Sequence, residues 1–191
     1  MSELLVLIGI ALALLSGLPG LLLDCCSLTG QALSVLLAVL GNGLGLFAVI
    51  HYWAHDESQL LELSWTFPGA DFSVAMDGLS AIFLLPVFLM SLVANVYGLS
   101  YWNQAEHPKT ARKLRFFYGT LTAGMALLVI ARNSIVFLFG WEIMALSAFF
   151  LVATEDQYAD VRAAGWLYLV ATHIAALLLF ALFAVLHGIN G

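Results

Sequence analysis

Apolar residues run in six long blocks along this chain, near 4–23, 32–53, 79–101, 116–131, 134–153 and 166–187, separated by shorter polar stretches. A helix that crosses the ~30 Å hydrocarbon core of a bilayer needs about 20 such residues. Only a helix satisfies every backbone group within one block, and the blocks lack the apolar/polar alternation of barrel strands. The expected fold is all-α and integral to a membrane, with about six transmembrane helices in one domain over 1–191. The pattern changes between the second and third blocks. Leu61 to Phe67 alternates, Pro68-Gly69-Ala70-Asp71 signals a turn, and Phe72 to Met76 alternates again. This predicts a short β-hairpin on the outer surface, with an irregular loop as the alternative. Gly41 and Gly45 form a GxxxG in the second block, which implies close helix packing. Pro86 and Gly140 are expected to loosen the third and fifth helices locally.

Composition strengthens the membrane reading: 63% of the 191 residues are hydrophobic and 9% charged, against about a quarter charged in soluble domains. The net charge of −6, with only 6 Lys and Arg, excludes a nucleic-acid footprint. Cys25 and Cys26 are adjacent and offer no redox or zinc framework, and the histidines lack ligand spacing, so no cofactor or metal is expected. The first block follows Glu3 without a basic n-region and is longer than a signal core, so it reads as a membrane span. Lys109, Arg112, Lys113 and Arg115 lie between the third and fourth blocks, Arg162 between the fifth and sixth, and Arg132 on the other side. The positive-inside rule then places the 102–115 and 154–165 connections and the Cys25–Cys26 loop in the cytoplasm, with both termini outside.

Most acidic residues stand in connections or at block ends. Glu142 stands eight residues beyond Ser134, inside the fifth block. A charge at the bilayer centre costs on the order of 3 kcal/mol on insertion scales, so such an acid either stays protonated or faces a cation or a wet cavity. Both states suit a proton carrier; a protonated glutamate bonded between helices is the structural alternative. His173, in the sixth block, is the second candidate, since imidazole takes and passes protons near neutral pH. Counted from block ends at 153 and 166, Glu142 lies about 16 Å deep and His173 about 10 Å, at 1.5 Å per residue. That separation suggests a water-bridged relay rather than direct contact; a histidine held by a backbone carbonyl, Thr172 or Tyr168 is the alternative. Asp77, before Gly78-Leu79-Ser80, is the expected cap of the third helix. Asn95, Thr120, Thr122 and Ser147 read as interhelical glue.

Three stretches together carry a family resemblance: Met76-Asp77-Gly78-Leu79-Ser80-Ala81, Phe139-Gly140-Trp141-Glu142-Ile143-Met144-Ala145-Leu146-Ser147, and Tyr168-Leu169-Val170-Ala171-Thr172-His173 after Ala163-Ala164. They resemble the N-terminal part of the antiporter-like proton-channel subunits of respiratory complex I, membrane-bound hydrogenases and Mrp antiporters, most of all the hydrogenase-4 component B type. The resemblance implies a hairpin before the third helix, a key proton-transfer glutamate at Glu142 and a relay histidine at His173. It implies a membrane subunit of a proton- or cation-translocating oxidoreductase complex, with redox chemistry in partner subunits and none of its own. Such subunits have about fourteen helices in inverted repeats, including a lysine that pairs with the glutamate and falls beyond this sequence. The expectation is a front piece, a split subunit or a truncated product, which needs another chain for the missing helices. A non-catalytic scaffold, with Glu142 as a packing residue and the glycine face as a docking surface, is the alternative.

Overall fold

The apolar blocks form helices, and six of these are long and apolar enough to cross a membrane. The computed structural model describes residues 1–23, 28–55, 58–64, 71–108 and 110–190. Cys25, Cys26, Asp56, Glu57, Lys109 and the expected turn at Pro68-Gly69-Ala70 lie outside the described residues. In chain order the elements are α1 (Ser2–Leu15), α2 (Leu18–Leu22), α3 (Leu28–His55), β1 (Leu61–Leu63), β2 (Phe72–Val74), α4 (Gly78–Tyr101), α5 (Thr110–Ile130), α6 (Ser134–Val152) and α7 (Ala159–Asn190).

The first block is two helices rather than one. Ser16 and Gly17 interrupt it, Ser16 Oγ donates to Ala13 O at 2.6 Å, and Pro19 sits in the first turn of α2. A proline at that position starts a new helix because its missing N–H is not needed there. Three other departures concern helix ends and interiors. The polar, basic run Ala111 to Arg115 belongs to α5. The last helix begins at Ala159, where Arg162 Nη1 donates to Asp156 O at 2.8 Å and Gln157 O at 3.1 Å. Hydropathy misses such ends because they lie in the polar interface. Finally, α4 runs past Pro86, and α6 past Gly140, without a break.

Glycine instead sets how closely helices approach. A Cβ on Gly41 would stand 2.9 Å from Gly9 O on α1, and one on Gly45 would stand 2.5 Å from the ring of Phe88 on α4. The GxxxG face is therefore covered within the chain and is not a free docking surface. Gly124 and Gly140 do the same between α5 and α6, where added Cβ atoms would meet Met144 N at 2.8 Å and Leu128 N at 2.9 Å. This contact fixes α6, and with it Glu142, against the bundle.

The strands pair antiparallel, Leu61↔Val74, Glu62↔Ser73 and Leu63↔Phe72. The second strand also bonds the α5–α6 connection, through Ala75 N to Ile130 O and Arg132 N to Ser73 O, each 3.0 Å. Val74 and Met76 are fully buried with Val6, Val49, Leu84, Phe88 and Ala126, so the hairpin closes one end of the bundle. On the other side of the bundle, α7 packs chiefly on α6. Its apolar window is 6% buried, against 28–44% for the other five spans, and it stands at the edge with most of its surface open.

Candidate functional site

Two helical stripes face each other across the α6–α7 contact. Ile135, Leu138, Phe139 and Glu142 project from one, and His173, Ala176, Leu177 and Phe180 from the other. Each set follows the i, i+3, i+4, i+7 spacing that places side chains on one helix face. Between them lies an apolar cleft of about 610 Å³. Its polar groups meet directly, with His173 Nε2 3.1 Å from Glu142 Oε1.

This contact replaces the water-bridged arrangement expected from helix depths. With α7 starting at Ala159, His173 stands 14 residues into α7, while Glu142 is ten residues before the end of α6. The levels then differ by about 6 Å in the opposite sense. Side chains lean toward the N-terminus of their own helix. In these antiparallel neighbours the two leans converge and close the offset.

The other ring nitrogen determines what the pair can hold. His173 Nδ1 is 2.9 Å from Leu169 O, and a carbonyl only accepts, so Nδ1 carries a proton. In a neutral imidazole Nε2 is then an acceptor, and the bond to Glu142 requires a protonated carboxyl. In an imidazolium Nε2 donates, and Glu142 is a carboxylate. The contact holds one proton in either form, and the pair is neutral overall in both. Neutrality relieves the cost that a lone carboxylate would meet at this depth. Glu142 is 41% and His173 43% exposed in this chain, so the burial expected of Glu142 is not supplied by these helices alone. The open side is the one that α7 leaves uncovered.

The remaining charges gather at the two ends. At the hairpin end, Asp77 Oδ1 accepts from Ser80 N at 2.7 Å, and Oδ2 pairs with Arg132 Nη2 at 2.9 Å. Arg132 Nη2 also donates to Ala75 O at 3.1 Å. The Ser80 N–H first, and Arg132 beside it, hold the Asp77 carboxyl below the usual aspartate range. Arg132 escaped the sequence reading as a partner because the two residues meet only through the fold. At the opposite end, Arg115 is 8% exposed and donates to Gln104 Oε1 at 3.0 Å and Trp102 O at 3.2 Å. The sequence placed it in a connection, whereas it sits inside α5. Of the four residues read as glue, Thr122 bonds between helices, to Ser91 Oγ at 2.8 Å. Asn95, Thr120 and Ser147 bond backbone carbonyls of their own helices.

The fold and the paired acid and imidazole define a multi-pass membrane protein with an ionisable centre inside its helices. No family model matches the sequence. The chain is 31% identical over 125 residues to hydrogenase-4 component B of Escherichia coli (strain K12), covering 65% of this chain and 18% of that protein. It is also 31% identical over 134 residues to NADH-ubiquinone oxidoreductase chain 5 of Rhizopus stolonifer, covering 69% of this chain and 19% of the relative. The matched region thus spans about a fifth of the length of these relatives. A chain in the structure of the membrane-bound sulfane sulfur reductase, an archaeal respiratory membrane complex, shares the fold with a TM-score of 0.73 at 14% identity, over 92% of this chain and 34% of that one. The homologues of this chain are antiporter-like membrane subunits, hydrogenase-4 component B and complex I chain 5 among them, in agreement with the resemblance carried by its three motifs.

Proposed function

We propose that this chain is a membrane subunit, or the N-terminal piece of one, of a complex I-like or hydrogenase-linked oxidoreductase that moves protons or cations. Glu142 binds the transported proton and His173 passes it on. The single observation that carries the reading is the 3.1 Å contact between Glu142 Oε1 and His173 Nε2 inside an apolar cleft. Because both forms of the pair are neutral, the proton shifts between the two residues without moving net charge into lipid. Redox chemistry belongs to partner subunits. Further helices, from another chain or from more of the same subunit, cover the open face of α6 and α7 and supply the group that draws the proton onward.

The same reading places the basic end in the cytoplasm and the hairpin end outside a bacterial-type inner membrane. Arg112, Lys113 and Arg115 stand at the start of α5 and Arg162 at the start of α7, at one end of the bundle, where Lys113 and Arg162 line a common cavity. That asymmetry is the one the positive-inside rule uses.

A second reading has a specific observation in its favour. The bond from His173 Nδ1 to Leu169 O is that of a fixed histidine, and the pair then acts as a static lock between α6 and α7. Glu142→Gln separates the two, because its amide N–H still donates to Nε2 but carries no transferable proton. On the proton-carrier reading, the variant assembles with its complex and loses coupled translocation, measured as proton uptake by vesicles per electron pair. Unchanged coupling in an assembled complex supports the lock and sinks the carrier.

A further inference from the structure

We propose that the end of the bundle where α4 meets α5 binds the phosphate headgroup of an anionic membrane lipid, with Arg115 as its cation. Arg115 is nine-tenths buried, and the acceptors of its Nη1 and Nη2, Gln104 Oε1 and Trp102 O, are both neutral. Among the described residues the ion pairs are Met1–Glu3, Arg132–Asp77 and His173–Glu142, and none involves Arg115. A guanidinium keeps its charge in a protein, and a buried charge is best matched by an opposite one. With no counter-ion for Arg115 among the described residues, the site suits an anion.

The geometry indicates where that anion comes from. A cavity of about 190 Å³ lies beside Arg115, lined by Asn95, Tyr97, Gly98, Tyr101, Trp102 and Tyr118. This exceeds the roughly 30 Å³ that one water occupies in the liquid, so a tetrahedral phosphate has room. Tyr97 and Tyr101 are 61% and 66% exposed, and their rings stack at 5.2 Å. They stand in the last turns of α4, beside Trp102, as an aromatic belt at headgroup level does. The mouth thus opens sideways toward the bilayer interface. Arg115 is the cation that lines this cavity; Arg112 and Lys113 stand at the same end of α5 but turn elsewhere, to Leu23 O and to the cavity shared with Arg162. A phosphate offers the planar guanidinium fork the paired acceptors it fits best, and basic pockets between helices are suited to lipid headgroups.

Arg115 also holds the turn that follows α4, since Gln104 N donates in turn to Gln31 Oε1 at 3.3 Å. A substitution there disturbs more than the cavity. Gly98 offers a cleaner probe: it lines the cavity, and an added Cβ meets nothing within 4 Å. The test is native mass spectrometry of the full chain in its membrane complex, extracted in mild detergent and titrated with phosphatidylglycerol or phosphatidylcholine. The wild type is expected to retain phosphatidylglycerol in preference to phosphatidylcholine. Gly98→Leu is expected to bind it about tenfold more weakly, with an unchanged melting temperature in lipid-free detergent, and Arg115→Lys to fall between the two. Equal retention by Gly98→Leu and wild type, or no preference for the anionic lipid, overturns the proposal. Displacement of the lipid by an equal concentration of inorganic phosphate also overturns it, by making free phosphate the ligand. A wild type without the preference, or one whose lipid yields to phosphate, overturns the proposal even where Gly98→Leu fails to assemble, and Arg115→Lys then supplies the test of position.

Discussion

Asp77 combines two interactions at the start of α4, an N-cap bond to Ser80 N and an ion pair with Arg132, and the two are separable by substitution. Asp77→Asn keeps a neutral cap but loses the carboxylate charge, and with it the charge-assisted part of the Ser80 N–H bond and the ion pair, whose partners are 49% and 29% exposed. A pair so accessible to solvent is worth roughly 0–1 kcal/mol. Asp77→Ala loses the cap as well, for about 1 kcal/mol more. The lowered native pKa sets the pH dependence: this stability is present above the ordinary aspartate value of about 3.9 and fades as pH falls through the lower native value. Melting temperatures in detergent are therefore expected to rank wild type above Asn above Ala at neutral pH, with the wild-type–Asn gap closing in acid. A gap that persists in acid would show that the carboxylate charge, bonded to the Ser80 N–H and paired with Arg132, is not its source. The cap could be read in the sequence because it spans three residues; the pair could not, because Arg132 reaches Asp77 through the hairpin. Glu142 and His173 could likewise be named as candidates from their positions in apolar blocks. Their contact could not, because it depends on where α7 starts and on the opposing lean of the two side chains.

At the scale of elements, small residues decide the spacing of the helices that carry the candidate site. Hydropathy located the spans, because a long apolar run has one solution in lipid. It did not show that Gly140 is a contact rather than a weak point, since a glycine looks the same in sequence whether it loosens a helix or admits a neighbour. Gly140→Leu is expected to force α5 and α6 apart, because its Cβ would already stand 2.9 Å from Leu128 N. Gly43→Ala is the control, with nothing within 4 Å of its Cβ. Overpacking a tight contact costs about 1–3 kcal/mol or more, so Gly140→Leu should lower the melting temperature clearly and Gly43→Ala leave it near wild type. Matching losses would mean that the close approach of α5 and α6 is not what holds this region. The break in the first span has the same character: Ser16, Gly17 and Pro19 were present to be read, but an uninterrupted apolar run around them concealed the turn.

At the scale of the whole molecule, one side of the structure is finished and the other is open. The hairpin joins the α5–α6 connection over a buried cluster, whereas α7 rests on α6 with 6% of its apolar window buried. An apolar helix face is stable against lipid, so exposure alone does not require a protein cover. The ionisable pair distinguishes the two cases: on the proton-carrier reading, a pair left 41–43% exposed to lipid would have no aqueous route to exchange its proton. If further helices cover this face, Leu177, which is 69% exposed and lines the cleft with Glu142, must lie against them. A cysteine introduced by Leu177→Cys should then crosslink, through a photoactivatable maleimide, to those helices in the native membrane, whether they belong to another chain or to more of the same subunit. It should also resist lipid-soluble thiol reagents until the complex is dispersed in harsh detergent. The control Leu89→Cys, on α4 and 44% exposed, should react with those reagents before and after dispersal. Equal reactivity of the two positions in the intact membrane would place lipid on the cleft, leave Glu142 and His173 without a path, and favour the static lock.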